Sequence, residues 1–126
     1  MISKKGFLLL TAFIMIFITA PSGFANKSSV SIDAPENAAQ GSEIAITLNV
    51  EHNANNIFHY TQWVSVIING KEIERCEYTW RKRPEAAHFT KEITYMVNDP
   101  IEIVAEASCN THGSSGTVIK KISVKE

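Results

Sequence analysis

The sequence predicts an all-β protein, a seven-stranded immunoglobulin-like antiparallel β-sandwich. Apolar residues alternate with polar ones along several segments, whereas helical periodicity is almost absent. Turn-forming residues separate these segments. About seven short strands within about 100 residues are typical of a sandwich of immunoglobulin size. The predicted strands cover residues 29–33, 44–50, 63–68, 71–78, 89–95, 101–109 and 118–124.

Period-2 alternation identifies two of the strands most clearly. In residues 44–50 the apolar side chains fall at every second position, and residues 101–109 repeat the pattern from Ile101 to Cys109. Residues 63–68 are instead rich in β-branched side chains, which predicts a strand covered on both faces. That segment runs into Asn69-Gly70, the strongest short hairpin signal, because both residues accept a positive φ. Residues 71–78 are therefore the expected return strand.

The first 25 residues read as a secretory signal peptide. Lys4 and Lys5 precede an apolar run, and Gly23-Phe24-Ala25 places small residues before a cleavage site. The apolar run is shorter than the roughly 20 residues that a membrane-spanning helix needs. We therefore expect an exported protein, periplasmic or extracellular, with no membrane anchor after cleavage. Residues 26–126 are expected to form one domain that begins at Asn26.

The charge balance argues against partners that carry many negative charges. Without Lys4 and Lys5, ten of the 12 basic residues remain against 13 acidic ones. A domain with this slight negative charge suggests neither nucleic acid nor an anionic membrane surface as a partner. Two cysteines remain, Cys76 and Cys109, and in an exported protein such a pair permits a disulfide.

Cys109 also has a metal-binding interpretation. It closes its predicted strand, and His112 follows three residues later in a tight loop. His52 and His59 bound another polar loop, which can share the same end of the sandwich. A thiolate with several imidazoles suits a transition metal ion, whereas calcium and magnesium prefer oxygen ligands. From these residues alone, the disulfide and the metal site both remain open.

The order of these motifs resembles the superoxide reductase and desulfoferrodoxin iron-domain family (neelaredoxin-like). The stretch from His52 to His59-Tyr60-Thr61-Gln62-Trp63 resembles the family's histidine loop and its His-Tyr-x-x-Trp strand. Residues 108–113, Ser-Cys-Asn-Thr-His-Gly, resemble its closing Cys-Asn-x-His-Gly motif. The resemblance extends from about residue 30 to the C-terminus.

This resemblance implies a function and a set of metal ligands. The family's site is a mononuclear non-haem iron that reduces superoxide to hydrogen peroxide with one electron. By analogy His52, His59 and His112 would be equatorial ligands, and Cys109 the axial thiolate. Lys27 would stand near the family's substrate-attracting lysine. The electron would come from a separate donor protein, such as a rubredoxin-like or cytochrome carrier.

The sequence departs from the family pattern at one ligand. The family's remaining histidine lies early in the chain, but residues 26–31 of this sequence contain no histidine. His88 is one candidate replacement. Otherwise water, a serine, Asn53 or Asn55 completes a site of three histidines and one cysteine, which would also suit zinc or copper. A non-catalytic metal-binding or electron-transfer module, and a metal-free binding domain with a Cys76–Cys109 disulfide, are therefore alternative functions.

Overall fold

The computed structural model describes residues 26–126. The predicted signal peptide, residues 1–25, lies outside the described residues. No helix in the described range could span a membrane. The range forms nine β-strands: β1 (Ser29–Asp33), β2 (Asn37–Ala39), β3 (Ser42–Glu51), β4 (Thr61–Ile68), β5 (Lys71–Glu77), β6 (Phe89–Val97), β7 (Ile101–Cys109), β8 (Gly113–Ser114) and β9 (Val118–Lys125).

Two sheets pack face to face as a sandwich. One sheet has three strands in the order β1-β3-β6, and the other has the order β2-β9-β7-β4-β5, with β8 paired to the end of β7. All seven predicted strands are present, so the predicted fold class is confirmed. Two details differ from the expectation. The very short strands β2 and β8 are additional, and β2 pairs with β9 in a parallel rather than an antiparallel direction.

The apolar alternation forms the core between the sheets. Ile46 and Leu48 of β3 are completely buried, as is Ile103 of β7, whereas Glu43 and Ala45 are exposed. Since side chains alternate across a strand, this pattern places one face of each sheet against the other. Burial of these branched aliphatic side chains is the main stabilising contribution to the fold.

The β4–β5 hairpin has the predicted turn. Asn69 has a φ of 50° and Gly70 a φ of 80°, as the Asn-Gly dipeptide predicts. The Asn69 side chain also accepts a hydrogen bond from the Glu102 amide at 2.9 Å and donates one to the Pro100 carbonyl at 3.3 Å. This turn therefore ties the hairpin to the start of β7, at the end of the sandwich opposite the candidate ligands.

The Cys76–Cys109 disulfide considered from the sequence is wrong. Both cysteines are free thiols. Cys76 lies on β5 and Cys109 on β7, and β4 lies between these two strands. Strands two positions apart are separated by about 9–10 Å, which exceeds the roughly 7 Å limit for the Cα atoms of a disulfide. The alternative function as a metal-free binding domain therefore lacks the disulfide on which it depended.

Candidate metal centre

Four sequence-predicted residues meet where strands of both sheets end. His52 directly follows β3, and His59 stands two residues before β4. Cys109 is the last residue of β7, and His112 lies in the turn that connects β7 to β8. Antiparallel pairing aligns Thr61 with Cys109, which brings the His59 loop opposite the thiol. The backbone register thus assembles residues that are far apart in the sequence.

The side chains of these residues converge on a small volume. One ligand atom each from His52, His59 and Cys109 lies within 4.8 Å of the others. The His52 and His59 rings are 4.4 Å apart between centroids. His112 lies at the outer edge of this group, with its Nδ1 3.0 Å from His59 Nε2 and 4.0 Å from Cys109 Sγ. The structure therefore brings together all four of the predicted ligands.

The turn after β7 surrounds the Cys109 sulfur with donors. The backbone amides of Thr111 and His112 point at Sγ from 3.4 and 3.5 Å, and Thr111 Oγ1 lies at 3.4 Å. Gly113 closes the turn with a φ of 80° and pairs with Cys109 as the first residue of β8. These contacts hold the sulfur in a defined position at the end of β7. Cys109 itself is only 3% exposed.

His52 is held in one orientation by the backbone. Its Nδ1 lies 2.7 Å from the carbonyl oxygen of Ala54, and the residue is 4% exposed. A proton on Nδ1 that is donated to this carbonyl leaves the Nε2 lone pair for a metal ion. Such a bond on the far nitrogen is the usual way in which a ligating histidine is oriented.

His59 is positioned by a compact turn that Asn56 closes. The Asn56 amide donates to the His59 carbonyl at 2.9 Å, and Asn56 Oδ1 accepts from the amides of Phe58 and His59 at 2.9 and 3.0 Å. Burial lowers the pKa of the His59 imidazole, and the neighbouring His52 and His112 lower it further, against a hydrogen bond that the imidazole donates to the Asn26 backbone, which raises it. A lowered pKa favours the neutral imidazole, which is the form that binds metal ions.

Asn110 joins the two ligand-bearing loops and was not singled out in the sequence. Its Oδ1 accepts from the Tyr60 amide at 3.1 Å, and its Nδ2 donates to the Phe58 carbonyl at 3.1 Å. Its own amide donates to the Tyr60 carbonyl at 3.1 Å. Both residues flank His59, and Asn110 is the neighbour of Cys109. Its place within the Cys-Asn-x-His-Gly motif was the available signal for this positioning role.

The remaining candidates lie around this group. The described residues place His88 as an exposed side chain immediately before β6, outside the converging group. Asn53 Nδ2 donates to Asn26 Oδ1 at 2.8 Å, and Asn55 Nδ2 donates to the Pro84 carbonyl at 2.7 Å. Among the described residues the buried Oδ1 of Asn55 has no hydrogen-bond partner. Lys27 is half-buried and adjoins Asn26, whose carbonyl oxygen lies 3.2 Å from His52 Nε2.

The donor set fits a transition metal ion. Imidazole nitrogens bind such ions at about 2.1 Å, so two nitrogens bound at right angles lie about 3.0 Å apart. The separation of His59 Nε2 and His112 Nδ1 has this value. The ligand atoms of His52, His59 and Cys109 all lie within 4.8 Å of one another. The donor types and their spacing therefore fit one transition metal ion.

Solved structures share the fold. A superoxide reductase (neelaredoxin) from Ignicoccus hospitalis aligns with a TM-score of 0.65 at 20% identity, over 79% of this chain and 82% of that one. The reduced superoxide reductase (neelaredoxin) from Archaeoglobus fulgidus aligns at 0.57 and 14% identity, over 75% and 89%. The sulfur carrier protein SoxY from Chlorobium limicola also aligns, at 0.54 and 13% identity over 77% and 79%, so the fold alone does not define the chemistry.

The sequence comparison is more specific than the shared fold. No curated protein shows significant sequence similarity to the chain. The family model for desulfoferrodoxin matches residues 22–115, a range that contains all four converging residues. The chain therefore belongs to the desulfoferrodoxin family.

Proposed function

We propose that this protein is an exported enzyme of the superoxide reductase type, with one mononuclear non-haem iron bound by His52, His59, His112 and Cys109. The observation that carries the proposal is the convergence of imidazole and thiol ligand atoms within a few ångströms, in a chain of the desulfoferrodoxin family. Superoxide would be the substrate and hydrogen peroxide the product. The basic start, apolar run and small residues before Asn26 support export.

A ferrous ion in this site would supply the one electron that superoxide needs, and two protons complete its conversion to hydrogen peroxide. The residues of the chain prepare the site for this reaction. The amides of Thr111 and His112 donate hydrogen bonds to Cys109 Sγ, and hydrogen bonds to sulfur tune the potential of such centres. Lys27, close in the chain to the His52 contact, would attract the anionic substrate. The electron is restored by a separate donor protein, rubredoxin-like or a cytochrome.

The test compares two cysteine variants with the parent protein. Protein purified anaerobically should contain about one iron per chain, and its oxidised form should show a visible thiolate-to-iron charge-transfer band. Cys109→Ser should lose the band and most of the iron. Cys76→Ser is the matched control, since Cys76 lies on β5 outside the converging group, and it should keep both. Retention of iron and band by Cys109→Ser would contradict the assignment.

A non-catalytic metal-binding or electron-transfer module of the same fold is the second candidate. The specific observation in its favour is that Asn26, and not a histidine, lies next to His52. Pulse radiolysis of the iron-loaded protein separates the two functions. The enzyme should remove superoxide much faster than its spontaneous dismutation, whereas a rate equal to that background would favour the module.

A further inference from the structure

The connection between β5 and β6 lies at the same end of the sandwich as the candidate ligands. The last residue of β5 pairs with Trp63, close to the start of β4. Phe89, the first residue of β6, pairs close to the end of β3, which His52 follows. The chain between these strands (residues 78–88, the basic connection) therefore lies beside the loop that carries two of the ligands (residues 52–60, the ligand loop).

Hydrogen bonds fix the basic connection in place next to the ligand loop. Asn55 Nδ2 donates to the carbonyl of buried Pro84 at 2.7 Å, which joins the two segments directly. Thr79 and Lys82 exchange two backbone hydrogen bonds of 3.1 Å and so close a tight turn. The exposed side chains of this turn thus have a defined position at the rim of the metal centre.

The two segments expose apolar side chains together. Three of the five large apolar side chains that the described range exposes lie here: Phe58, which precedes His59 and is 77% exposed, Ile57 and Trp80. The Arg81 guanidinium lies over the Trp80 ring, 4.6 Å from its centroid. Aromatic and arginine side chains are enriched in protein–protein interfaces, whereas a small anion gains nothing from exposed apolar surface. A protein is therefore the partner that this surface fits.

The charge of this end is opposite to that of the rest of the domain. The ligand loop, the basic connection and residues 110–112 together contain three basic residues and one acidic residue, namely Arg81, Lys82, Arg83 and Glu85. The remainder of residues 26–126 contains seven basic and 12 acidic residues. Because complementary charges steer and orient two proteins as they meet, an acidic partner would approach this end first.

We propose that the surface formed by Ile57, Phe58, Trp80, Arg81 and Lys82 (the docking surface) binds a small acidic electron-carrier protein that supplies electrons to the metal centre. One electron passes from the reduced carrier to the oxidised centre, so the carrier is oxidised and no bond or proton is transferred. This inference rests on the proposed function, whose donor it describes.

The docking surface suits this transfer because it adjoins a ligand. Phe58 is the chain neighbour of His59, and its carbonyl accepts a hydrogen bond from Asn110 at 3.1 Å, next to Cys109. A carrier seated on Phe58 would therefore be close to the ion. Superoxide takes up an electron in one half of the cycle and the carrier restores it in the other. Docking thus requires no coordination position at the ion.

Two variants test the docking surface, and each has a matched control. Phe58→Ser removes the exposed ring beside the ligand, and Met96→Ser removes a 56% exposed side chain near the opposite end of β6. Lys82→Glu reverses an exposed charge in the basic connection, and Lys71→Glu reverses one at the β4–β5 hairpin. Circular dichroism and metal content confirm that each variant keeps its fold and its site.

Binding is measured by titration calorimetry with a rubredoxin of net negative charge that carries redox-inactive zinc. A c-type cytochrome of net positive charge is the charge-reversed probe. In a separate stopped-flow measurement, reduced iron rubredoxin is mixed with the oxidised protein, and the rate of electron transfer is recorded. Sedimentation of the protein alone reports whether a second copy occupies the same surface.

The zinc rubredoxin should bind the parent and both control variants alike. Phe58→Ser should weaken this binding at least about fivefold, as truncation of a central interface residue does. Lys82→Glu should weaken it roughly tenfold at low ionic strength, and salt at about 0.5 M should remove most of that difference by screening. The electron-transfer rate at low carrier concentration should fall by similar factors in these two variants.

The outcomes separate this inference from the proposed function. Absence of rubredoxin binding, equal binding by all variants, or equally tight binding of the positively charged cytochrome overturns the docking surface, even where superoxide reduction is fast. A dimer of the protein alone that Phe58→Ser dissociates also overturns it, since a second copy then covers the surface. Carrier binding that depends on Phe58 and Lys82, in a protein that removes superoxide only at the spontaneous rate, supports the docking surface and overturns the enzymatic function.

Discussion

The side chain of Asn110 should stabilise both the fold and the metal site, and this expectation has a defined magnitude. Asn110→Ala removes the two 3.1 Å hydrogen bonds to Tyr60 and Phe58 but keeps the backbone bond to the Tyr60 carbonyl. Each lost bond costs about 0.5–1.5 kcal/mol, so the free energy of unfolding should fall by about 1–3 kcal/mol. In urea, the unfolding midpoint of a domain of this size should fall by about 1 M.

With Asn110→Ala, the distance between His59 and Cys109 should be less firmly fixed. The Fe(II) affinity should fall by about 10–100-fold, the range found when residues that orient metal ligands are removed. Asn98→Ala, in the exposed turn between β6 and β7, is the matched control and should leave the midpoint and the affinity nearly unchanged. The two measurements are equilibrium urea unfolding of the metal-free protein and anaerobic chelator competition.

Asn110→Asp separates the hydrogen bonds from the volume of the side chain. It keeps the acceptor for the Tyr60 amide and loses the donor to the Phe58 carbonyl. We therefore expect the free energy of unfolding of Asn110→Asp to lie between that of the parent and that of Asn110→Ala. If Asn110→Ala shifts neither the urea midpoint nor the affinity, the reasoning from these contacts is refuted.

Three further changes test other parts of the structure. His112→Ala should weaken Fe(II) binding by at least about tenfold, whereas His88→Ala, an exposed histidine outside the converging group, should not, as chelator competition would show. Ile46→Ala should lower the free energy of unfolding by about 2–5 kcal/mol, because Ile46 is fully buried. Ile119→Ala should lower it little, since Ile119 is 56% exposed. Similar urea midpoints for the two variants would contradict this contrast. Burial raises the pKa of the Cys76 thiol, so less thiolate forms at a given pH; its alkylation at pH 8 should be slower than that of a free cysteine, and an equal rate would oppose this account.

The strands were predictable because their signal is local. Alternation along residues 44–50 and 101–109 directly reflects the two faces of β3 and β7, and the Asn-Gly turn depends on the backbone preferences of two residues. Strands β2 and β8 were missed because two or three residues are too few to show a period. The parallel β2–β9 pairing depends on how the chain crosses between sheets, which alternation does not encode.

The ligand types were predictable, but their surroundings were not. Cysteine and histidine are identifiable in any sequence as metal ligands, whereas the contact of Asn110 with residues 50 positions earlier exists only in the folded chain. The disulfide was a reasonable expectation from an even number of cysteines. It does not form because strand β4 lies between the strands that carry Cys76 and Cys109. The place of Asn26 beside His52 likewise depends on packing at the rim.

The candidate ligands are drawn from both sheets of the sandwich. His52 extends from β3 in the three-stranded sheet, and Cys109 ends β7 in the six-stranded sheet. A bound ion would act there as a further staple between the two layers, beside the apolar side chains of the core and the short backbone pairing of Ser28 with the β8 segment. Because the two residues lie more than half of the described chain apart, this staple can close only after both sheets have assembled. Only a fully folded chain would therefore bind the ion. The free energy of binding would add to the free energy needed to separate the two sheets.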